Sequence, residues 1–138
     1  MPRQVRRLLL IDDSLDSRDM YVMALEMLGI EVTAVATARD GIEAFMRESP
    51  DAIVCDIGLP EKDGYWFIHE IRTINANQGV HTPAIALTGY SDPERKEHSH
   101  KAGFDQHCTK PCTPQDLLSI LERLTSEEGS QPPRASHE

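Results

Sequence analysis

Short apolar runs alternate with segments of helical periodicity along most of this chain. The runs are residues 6–11, 31–35, 51–55, 83–87 and 105–109, the last being the least apolar. Between them, apolar residues recur every three or four positions in residues 15–28, 38–48, 65–77 and 113–124. A further helix is expected over about residues 92–102, although its apolar face is weak. Continuous apolar runs are typical of parallel strands buried on both faces. Strand then helix, repeated five times, predicts an α/β fold: a doubly wound, five-stranded parallel sheet with helices on both faces.

The ends of the periodic segments mark helix starts and the limits of the domain. Thr113 and Asp92 each precede a proline, which places a capping oxygen ahead of a proline at the first helical position. We expect residues 5–124 to form one domain after a short extension, residues 1–4. Residues 125–138 are polar and contain prolines, and we expect them to be disordered.

Composition and charge exclude several classes of function. Apolar residues make up 39% of the chain and charged residues 27%, which is typical of a folded globular protein. No apolar run approaches the roughly 20 residues that cross a bilayer, and the first run is too short for a secretion signal, so we expect a cytoplasmic protein. A net charge of −9 argues against binding nucleic acid, which requires clustered Lys and Arg.

The three cysteines are too few and too scattered to predict a disulfide framework. Cys55 and Cys108 lie in strand-like runs, and we expect both to be small buried side chains. Cys108 and Cys112 are four positions apart with a proline between them, so they do not form a CxxC motif.

Chemically active residues gather where the predicted strands end. Asp12 and Asp13 follow the first strand, Asp56 ends the third, Thr88 follows the fourth and Lys110 follows the fifth. Taken singly, each has an ordinary structural interpretation as a helix cap, a turn former or a surface lysine. Because ligands of open parallel sheets bind beyond the carboxyl ends of the strands, we expect the five side chains to meet at one rim.

Such a rim suits phosphoryl transfer. Neighbouring carboxylates repel one another unless a cation joins them, and Mg²⁺ suits a site of few carboxylates plus a phosphate. Asp56 is then the candidate nucleophile towards phosphorus, giving an acyl phosphate. Lys110 and Thr88 are placed to neutralise or bond the oxygens of the transferred group.

At these residues the chain resembles the response-regulator receiver family, which has the CheY-like, flavodoxin-like fold. The matching segments are LLLIDDS, DAIVCDIGLPEKDGY, PAIALTGY and AGFDQHCTKP. The resemblance implies Asp56 as phospho-acceptor, with Asp12, Asp13, Asp56 and the backbone carbonyl of Gly58 binding Mg²⁺. It also implies Thr88 as switch hydroxyl and Lys110 as phosphate contact, with a cis bond between Lys110 and the following proline.

One position departs from the family pattern. Receivers often carry Tyr or Phe three residues before the lysine, and His107 stands there in this chain. Coupling between Thr88 and an aromatic side chain is therefore not expected in its usual form.

The resemblance predicts a signalling switch rather than an enzyme. The phosphodonor would be a histidine kinase or a histidine phosphotransfer protein, and the output a protein bound at the face of residues 92–124, with homodimerisation an open option. We expect no DNA-binding output domain, so the chain is either a stand-alone regulator or a module of a hybrid sensor kinase. Two alternatives are a receiver-like adaptor that takes no phosphate and a haloacid-dehalogenase-type phosphatase. The second needs an acid two residues after the nucleophile, where this chain has Gly58.

Overall fold

The computed structural model describes residues 5–89 and 93–130, in which five strands alternate with five helices. The strands are β1 (Arg7–Ile11), β2 (Glu31–Val35), β3 (Ala52–Asp56), β4 (Ala84–Thr88) and β5 (Gln106–Thr109). The helices are α1 (Leu15–Met27), α2 (Ala38–Glu48), α3 (Gly64–Gln78), α4 (Pro93–Ala102) and α5 (Pro114–Ser130). Each predicted strand is confirmed to within one residue at either end.

The strands of the described chain form one sheet in the order β2-β1-β3-β4-β5, and every pair is parallel. The predicted fold class is confirmed. The chain passes from β1 to β2 on one side and then returns to β3 on the other. The strand order reverses at this point, where doubly wound proteins bind their ligands.

The sheet separates two apolar layers because successive side chains of a strand point to opposite faces. Leu8 and Leu10 of β1 pack with residues of α1 and α5, whereas Leu9 and Ile11 pack with residues of α2 and α3. All five positions of β3 and of β4 are buried. Asp56 and Thr88, the last residues of these two strands, are therefore held rigidly in the middle of the sheet.

The start of α5 follows the prediction, but its end does not. The Thr113 hydroxyl accepts a hydrogen bond from the backbone of Asp116 at 3.0 Å, and the Asp116 carboxylate accepts one from the backbone of Thr113 at 3.2 Å. The helix continues through residues 125–130, which the sequence pattern predicts to be disordered. Thr125 is buried, and its hydroxyl donates to the Leu121 carbonyl at 3.0 Å, so polar composition there does not end the helix.

Three predictions lie outside the described residues. They are the extension of residues 1–4, the Asp92 cap and the disorder of residues 131–138. Within the described ranges, no helix combines the length and apolar character needed to cross a membrane.

Candidate functional site

Three carboxylates meet at the carboxyl ends of β1 and β3. Asp12 follows β1 directly, Asp13 comes next, and Asp56 is the last residue of β3. Oxygen atoms of the three side chains lie within 4.8 Å of one another. The pairing of Ile11 with Cys55 explains this, because parallel register brings the two strand ends to the same height.

Asp12 is held by its neighbours through every polar group except one oxygen. Its backbone N–H donates to the Val35 carbonyl at 3.1 Å, and its own carbonyl accepts from Arg18 at 2.9 Å. Its Oδ1 accepts from the backbone of Ser14 at 3.0 Å. Among the described residues no group bonds its Oδ2, although that atom is buried. A buried carboxylate oxygen that accepts no hydrogen bond is typical of a metal ligand in the absence of its cation.

Asp56 presents both carboxylate oxygens to specific donors. The backbone N–H of Gly58 donates to Oδ1 at 3.0 Å, and the ammonium of Lys110 donates to Oδ2 at 2.9 Å. The Asp56 side chain is 10% exposed, so it is close to the surface without being freely solvated. Its carboxylate is therefore fixed in orientation and still accessible to an incoming group.

The charges at the rim influence one another. Burial raises the pKa of Asp12 above its usual 3.8, and the charges of Asp56 and Asp13 add to this rise, against the hydrogen bond from Ser14 and the charge of Lys110. Burial lowers the pKa of Lys110, but its hydrogen bond and charge interaction with Asp56 outweigh burial, so the pKa lies above 10.5. Lys110 is therefore a stable cation, and Asp12 is a carboxylate that favours a further positive charge.

Thr88 and Lys110 are joined through their backbones. Thr88 ends β4 one residue beyond Leu87, which pairs with Asp56. The backbone N–H of Lys110 donates to the Thr88 carbonyl at 2.7 Å. This places the Thr88 hydroxyl and the Lys110 loop on the same rim as the carboxylates.

The structure brings the residues predicted for the site to one place. Gly58 lies beside Asp56 through its N–H, and a ligand role for its carbonyl stays a prediction. The predicted cis bond between Lys110 and Pro111 is confirmed. His107 is half-buried, and burial together with the charge of Lys96 lowers its pKa below 6.5, so it is neutral at pH 7.

The cysteine prediction is wrong in one respect. Cys108 and Cys112 are buried as small side chains, but they form a disulfide, with their Cα atoms 5.9 Å apart. The turn through Lys110 and Pro111 returns the chain to the end of β5, which a spacing of four residues does not indicate. The Tyr21 hydroxyl donates to the Cys112 carbonyl and holds the returning segment against α1.

Comparison with known sequences decides the family. The sequence model of the response regulator receiver domain matches residues 8–122, most of the chain. The chain belongs to this receiver family. Receivers act in two-component signalling, take their phosphoryl group from histidine kinases, and generally bind Mg²⁺ in an acidic pocket such as the one formed by Asp12, Asp13 and Asp56.

Individual relatives agree with this assignment. An uncharacterised 14.6 kDa protein of Leptolyngbya boryana is 34% identical over 116 residues, which are 84% of this chain and 87% of that protein. The sensor histidine kinase CheAY of Helicobacter pylori is 31% identical over 89% of this chain but only 15% of its own length. The structure of the chemotaxis response regulator CheY4 of Vibrio cholerae superposes with a TM-score of 0.80 at 28% identity, covering 88% of this receiver and 99% of CheY4.

Proposed function

We propose that this receiver takes a phosphoryl group from a phosphohistidine onto Asp56 and thereby changes its binding to a protein partner. One observation carries the proposal. Asp56 stands at the rim with one oxygen bonded to the Gly58 backbone and the other to Lys110, beside two further carboxylates. This arrangement orients a carboxylate nucleophile and supplies a cation for the group it receives.

The transfer exchanges one bond for another. An oxygen of Asp56 forms a bond to phosphorus as the bond from phosphorus to the imidazole nitrogen breaks. The electron pair of that bond stays on the nitrogen, and the donor leaves as neutral imidazole with a proton on its other ring nitrogen. The Lys110 ammonium, now 2.9 Å from Asp56 Oδ2, moves its hydrogen bond to a phosphoryl oxygen. Thr88 at the end of β4 supplies a hydroxyl to the same group, which draws the end of β4 towards Asp56.

The residues of the acidic pocket fit Mg²⁺. The oxygens of Asp12, Asp13 and Asp56 lie within 4.8 Å of one another, and Asp12 Oδ2 is buried without a donor among the described residues. These are hard oxygen ligands, and we propose that the Gly58 carbonyl adds one more. Bound Mg²⁺ would offset the negative charge that gathers when a phosphoryl group approaches three carboxylates.

A receiver of this kind has one partner that donates the phosphoryl group and another that responds to the phosphorylated form. We propose a histidine kinase or a histidine phosphotransfer protein as donor and a protein bound at the face of residues 92–124 as output, with homodimerisation through that face an open option. The likeness to CheAY supports a module of a sensor kinase, and the likeness to CheY4, covered over 99% of its length, supports a stand-alone regulator. We propose a cytoplasmic location. In either form we propose that the domain is not an enzyme and at most transfers and loses its own phosphoryl group slowly.

A hydrolytic function is disfavoured by one position. A haloacid-dehalogenase-type phosphatase needs an acid two residues after its nucleophile to protonate the leaving group, and Gly58 has no side chain to do so. The remaining alternative, an adaptor that takes no phosphate, is an outcome of the following experiment.

Intact mass spectrometry after incubation with a small-molecule acyl phosphate and Mg²⁺ tests the proposal. We expect one base-labile phosphoryl adduct on the natural chain and none on Asp56→Asn. The matched control is Asp51→Asn, which removes a carboxylate just before the start of the same strand, where it accepts from the backbones of Arg6 and Arg7. This control should be phosphorylated normally. No adduct from the acyl phosphate or from a phosphorylated histidine phosphotransfer protein would contradict the proposal and leave the adaptor.

A further inference from the structure

The disulfide of this receiver encloses the lysine of its acceptor site. Cys108 lies in β5 and Cys112 follows the Lys110–Pro111 bond, so the ring closed by the two sulfurs contains Lys110. We propose that Cys108 and Cys112 are a redox modification site that controls phosphoryl acceptance through the position of Lys110. This inference rests on the proposed function of Asp56 and adds a means of regulating it.

The contacts of the loop connect the sulfurs to the site. Lys110 reaches Asp56 Oδ2 at 2.9 Å with its side chain and the Thr88 carbonyl at 2.7 Å with its backbone. On the other side of Lys110, the Cys112 carbonyl accepts from the Tyr21 hydroxyl. The disulfide joins the two ends of this short segment, so breaking it removes a covalent constraint within two residues of Lys110.

A purely stabilising role accounts poorly for this bond. A disulfide stabilises a fold mainly by restricting the unfolded chain, and the restriction grows with the length of the loop that it closes. Here the two cysteines are only four positions apart. The domain also has two extensive apolar layers, unlike the small domains that depend on disulfides.

The third cysteine does not compete for this chemistry. Cys55 is 0% exposed, and its Sγ donates to the Asp56 carbonyl at 3.3 Å. A fully buried thiol is out of reach of a small-molecule thiol or disulfide. Thiol–disulfide exchange in this chain is therefore confined to the Cys108–Cys112 pair.

The redox step uses small-molecule thiols as reductant. A first thiolate attacks one sulfur of the pair to give a mixed disulfide and one protein thiolate. A second thiolate attacks the mixed disulfide, releasing the small disulfide and leaving two protein thiols after proton uptake. The protein gains two electrons and two protons, the two thiols lose them, and a small-molecule disulfide drives the reverse reaction.

The two sulfurs become accessible when the loop opens. Cys108 and Cys112 are only 9% and 4% exposed, but Lys110, Pro111 and Thr113 between and beside them are exposed. Exchange therefore proceeds as this surface loop opens.

The direction of control follows from preorganisation. With the disulfide closed, Lys110 is held against Asp56, where it meets the incoming phosphoryl group without rearrangement. With the disulfide open, the loop has more freedom and Lys110 spends less time at Asp56. We expect reduction to slow phosphorylation by about threefold or more.

The experiment compares the oxidised and reduced natural chain. Alkylation of unfolded protein counts thiols: the oxidised form should take one label, on Cys55, and the reduced form three. Phosphorylation by a small-molecule acyl phosphate with Mg²⁺ is then timed for both forms. In parallel, brief acylation with an amine-reactive reagent measures the accessibility of Lys110, with Lys101 as internal reference because its side chain is 74% exposed against 40% for Lys110. Cys108→Ser/Cys112→Ser is the control and should match the reduced form under both conditions.

Each outcome decides a separate point. Faster acylation of Lys110 and slower phosphorylation after reduction support the inference. Three labels under oxidising conditions, unchanged acylation of Lys110, or equal phosphorylation rates in the two forms would each overturn it. If acylation of Lys110 changes but neither form takes phosphate, from the acyl phosphate or from a phosphorylated histidine phosphotransfer protein, the proposed function fails while the link between the disulfide and Lys110 stands.

Discussion

At the scale of single residues, Asp12 is a carboxylate that the protein alone does not satisfy. It is fully buried, its Oδ2 has no donor among the described residues, and burial raises its pKa, with further contributions from the charges of Asp56 and Asp13. Repulsion among clustered carboxylates lowers the free energy of unfolding, and the same cluster favours the binding of a cation.

Replacing Asp12 by Asn should therefore separate stability from cation binding. We expect Asp12→Asn to raise the free energy of unfolding without Mg²⁺ by about 1 kcal/mol, because one of three clustered charges is removed. Mg²⁺ affinity should fall by about tenfold or more, because a charged ligand is lost. Urea denaturation and calorimetric titration with Mg²⁺ measure the two effects.

The matched control is Asp19→Asn, which removes the same charge from an exposed position of α1. Its stability and Mg²⁺ affinity should stay close to those of the natural chain. Equal Mg²⁺ affinity in the two variants would show that Asp12 is not a ligand.

The sequence predicts that the site residues lie at one rim of the sheet, but it does not predict the disulfide beside them. Asp12, Asp13, Asp56 and Lys110 could be placed together because each follows or ends a strand, and parallel strands end at one rim. The Cys108–Cys112 bond could not, because it depends on how the turn through Lys110 folds back. The spacing of the two cysteines along the sequence does not indicate that turn.

At the scale of elements, a partly buried ionic network ties α3 to the strands at the end of the sheet opposite the site. Arg72 of α3 donates to the Gly103 carbonyl at 2.9 Å and to Asp105 Oδ2 at 3.0 Å. Asp105 also accepts from the backbone of Ala84 at 2.8 Å and contacts His81 at 2.9 Å. These contacts hold the middle of α3 against the starts of β4 and β5. Arg72 and Asp105 are 33 positions apart, so no local pattern predicts the pair.

This network should make stability depend on pH. Burial raises the pKa of Asp105, but the hydrogen bond and charge of His81, the charge of Arg72 and the Ala84 N–H outweigh burial and lower the pKa below 3.8. A lowered pKa contributes stability that is present above the ordinary value and is lost as pH falls through the folded one. We expect Asp105→Asn to lower the free energy of unfolding by about 2 kcal/mol at pH 7. Its difference from the natural chain should narrow below about pH 4.

Urea denaturation between pH 7 and pH 3 measures this dependence. Glu122→Gln, which removes an exposed carboxylate from α5, serves as control and should show a small difference at every pH. A stability difference for Asp105→Asn that widens towards low pH would contradict the expected direction.

The junction between β3 and α3 depends on a glycine. A Cβ at Gly64 would lie 2.8 Å from the Ile57 Cα and 2.9 Å from the Asp56 carbonyl oxygen. Both contacts are with backbone, which cannot move aside without shifting the strand end that carries Asp56. The absence of a side chain at Gly64 thus lets α3 begin directly against the acceptor.

Gly64→Ala should lower the free energy of unfolding by about 2 kcal/mol and slow phosphorylation of Asp56. Gly89→Ala is the matched control, since a Cβ there meets no atom of the described residues within 4 Å. Its stability should stay within about 0.5 kcal/mol of the natural chain. Equal stability of the two variants would show that the junction relaxes freely.

At the scale of the whole molecule, the order of elements could be predicted and the extent of the last helix could not. The continuous apolar runs of β1, β3 and β4 identify central strands, and β2 and β5 lie at the two edges of the sheet. The end of α5 escapes prediction because residues 125–130 are polar. The helix nevertheless continues past the last apolar position to Ser130, and Leu124 and Thr125 are both buried.

The phosphoryl group should be received by Asp56 rather than by Asp12 or Asp13. Reduction of the phosphorylated chain with labelled borohydride converts an aspartyl phosphate to labelled homoserine, and tandem mass spectrometry of tryptic peptides locates the label. We expect it in the peptide of residues 48–62, with fragment ions assigning it to position 56 rather than to Asp51. Label at Asp51, or in the peptide of residues 8–18 that contains Asp12 and Asp13, would contradict the assignment of Asp56 as acceptor.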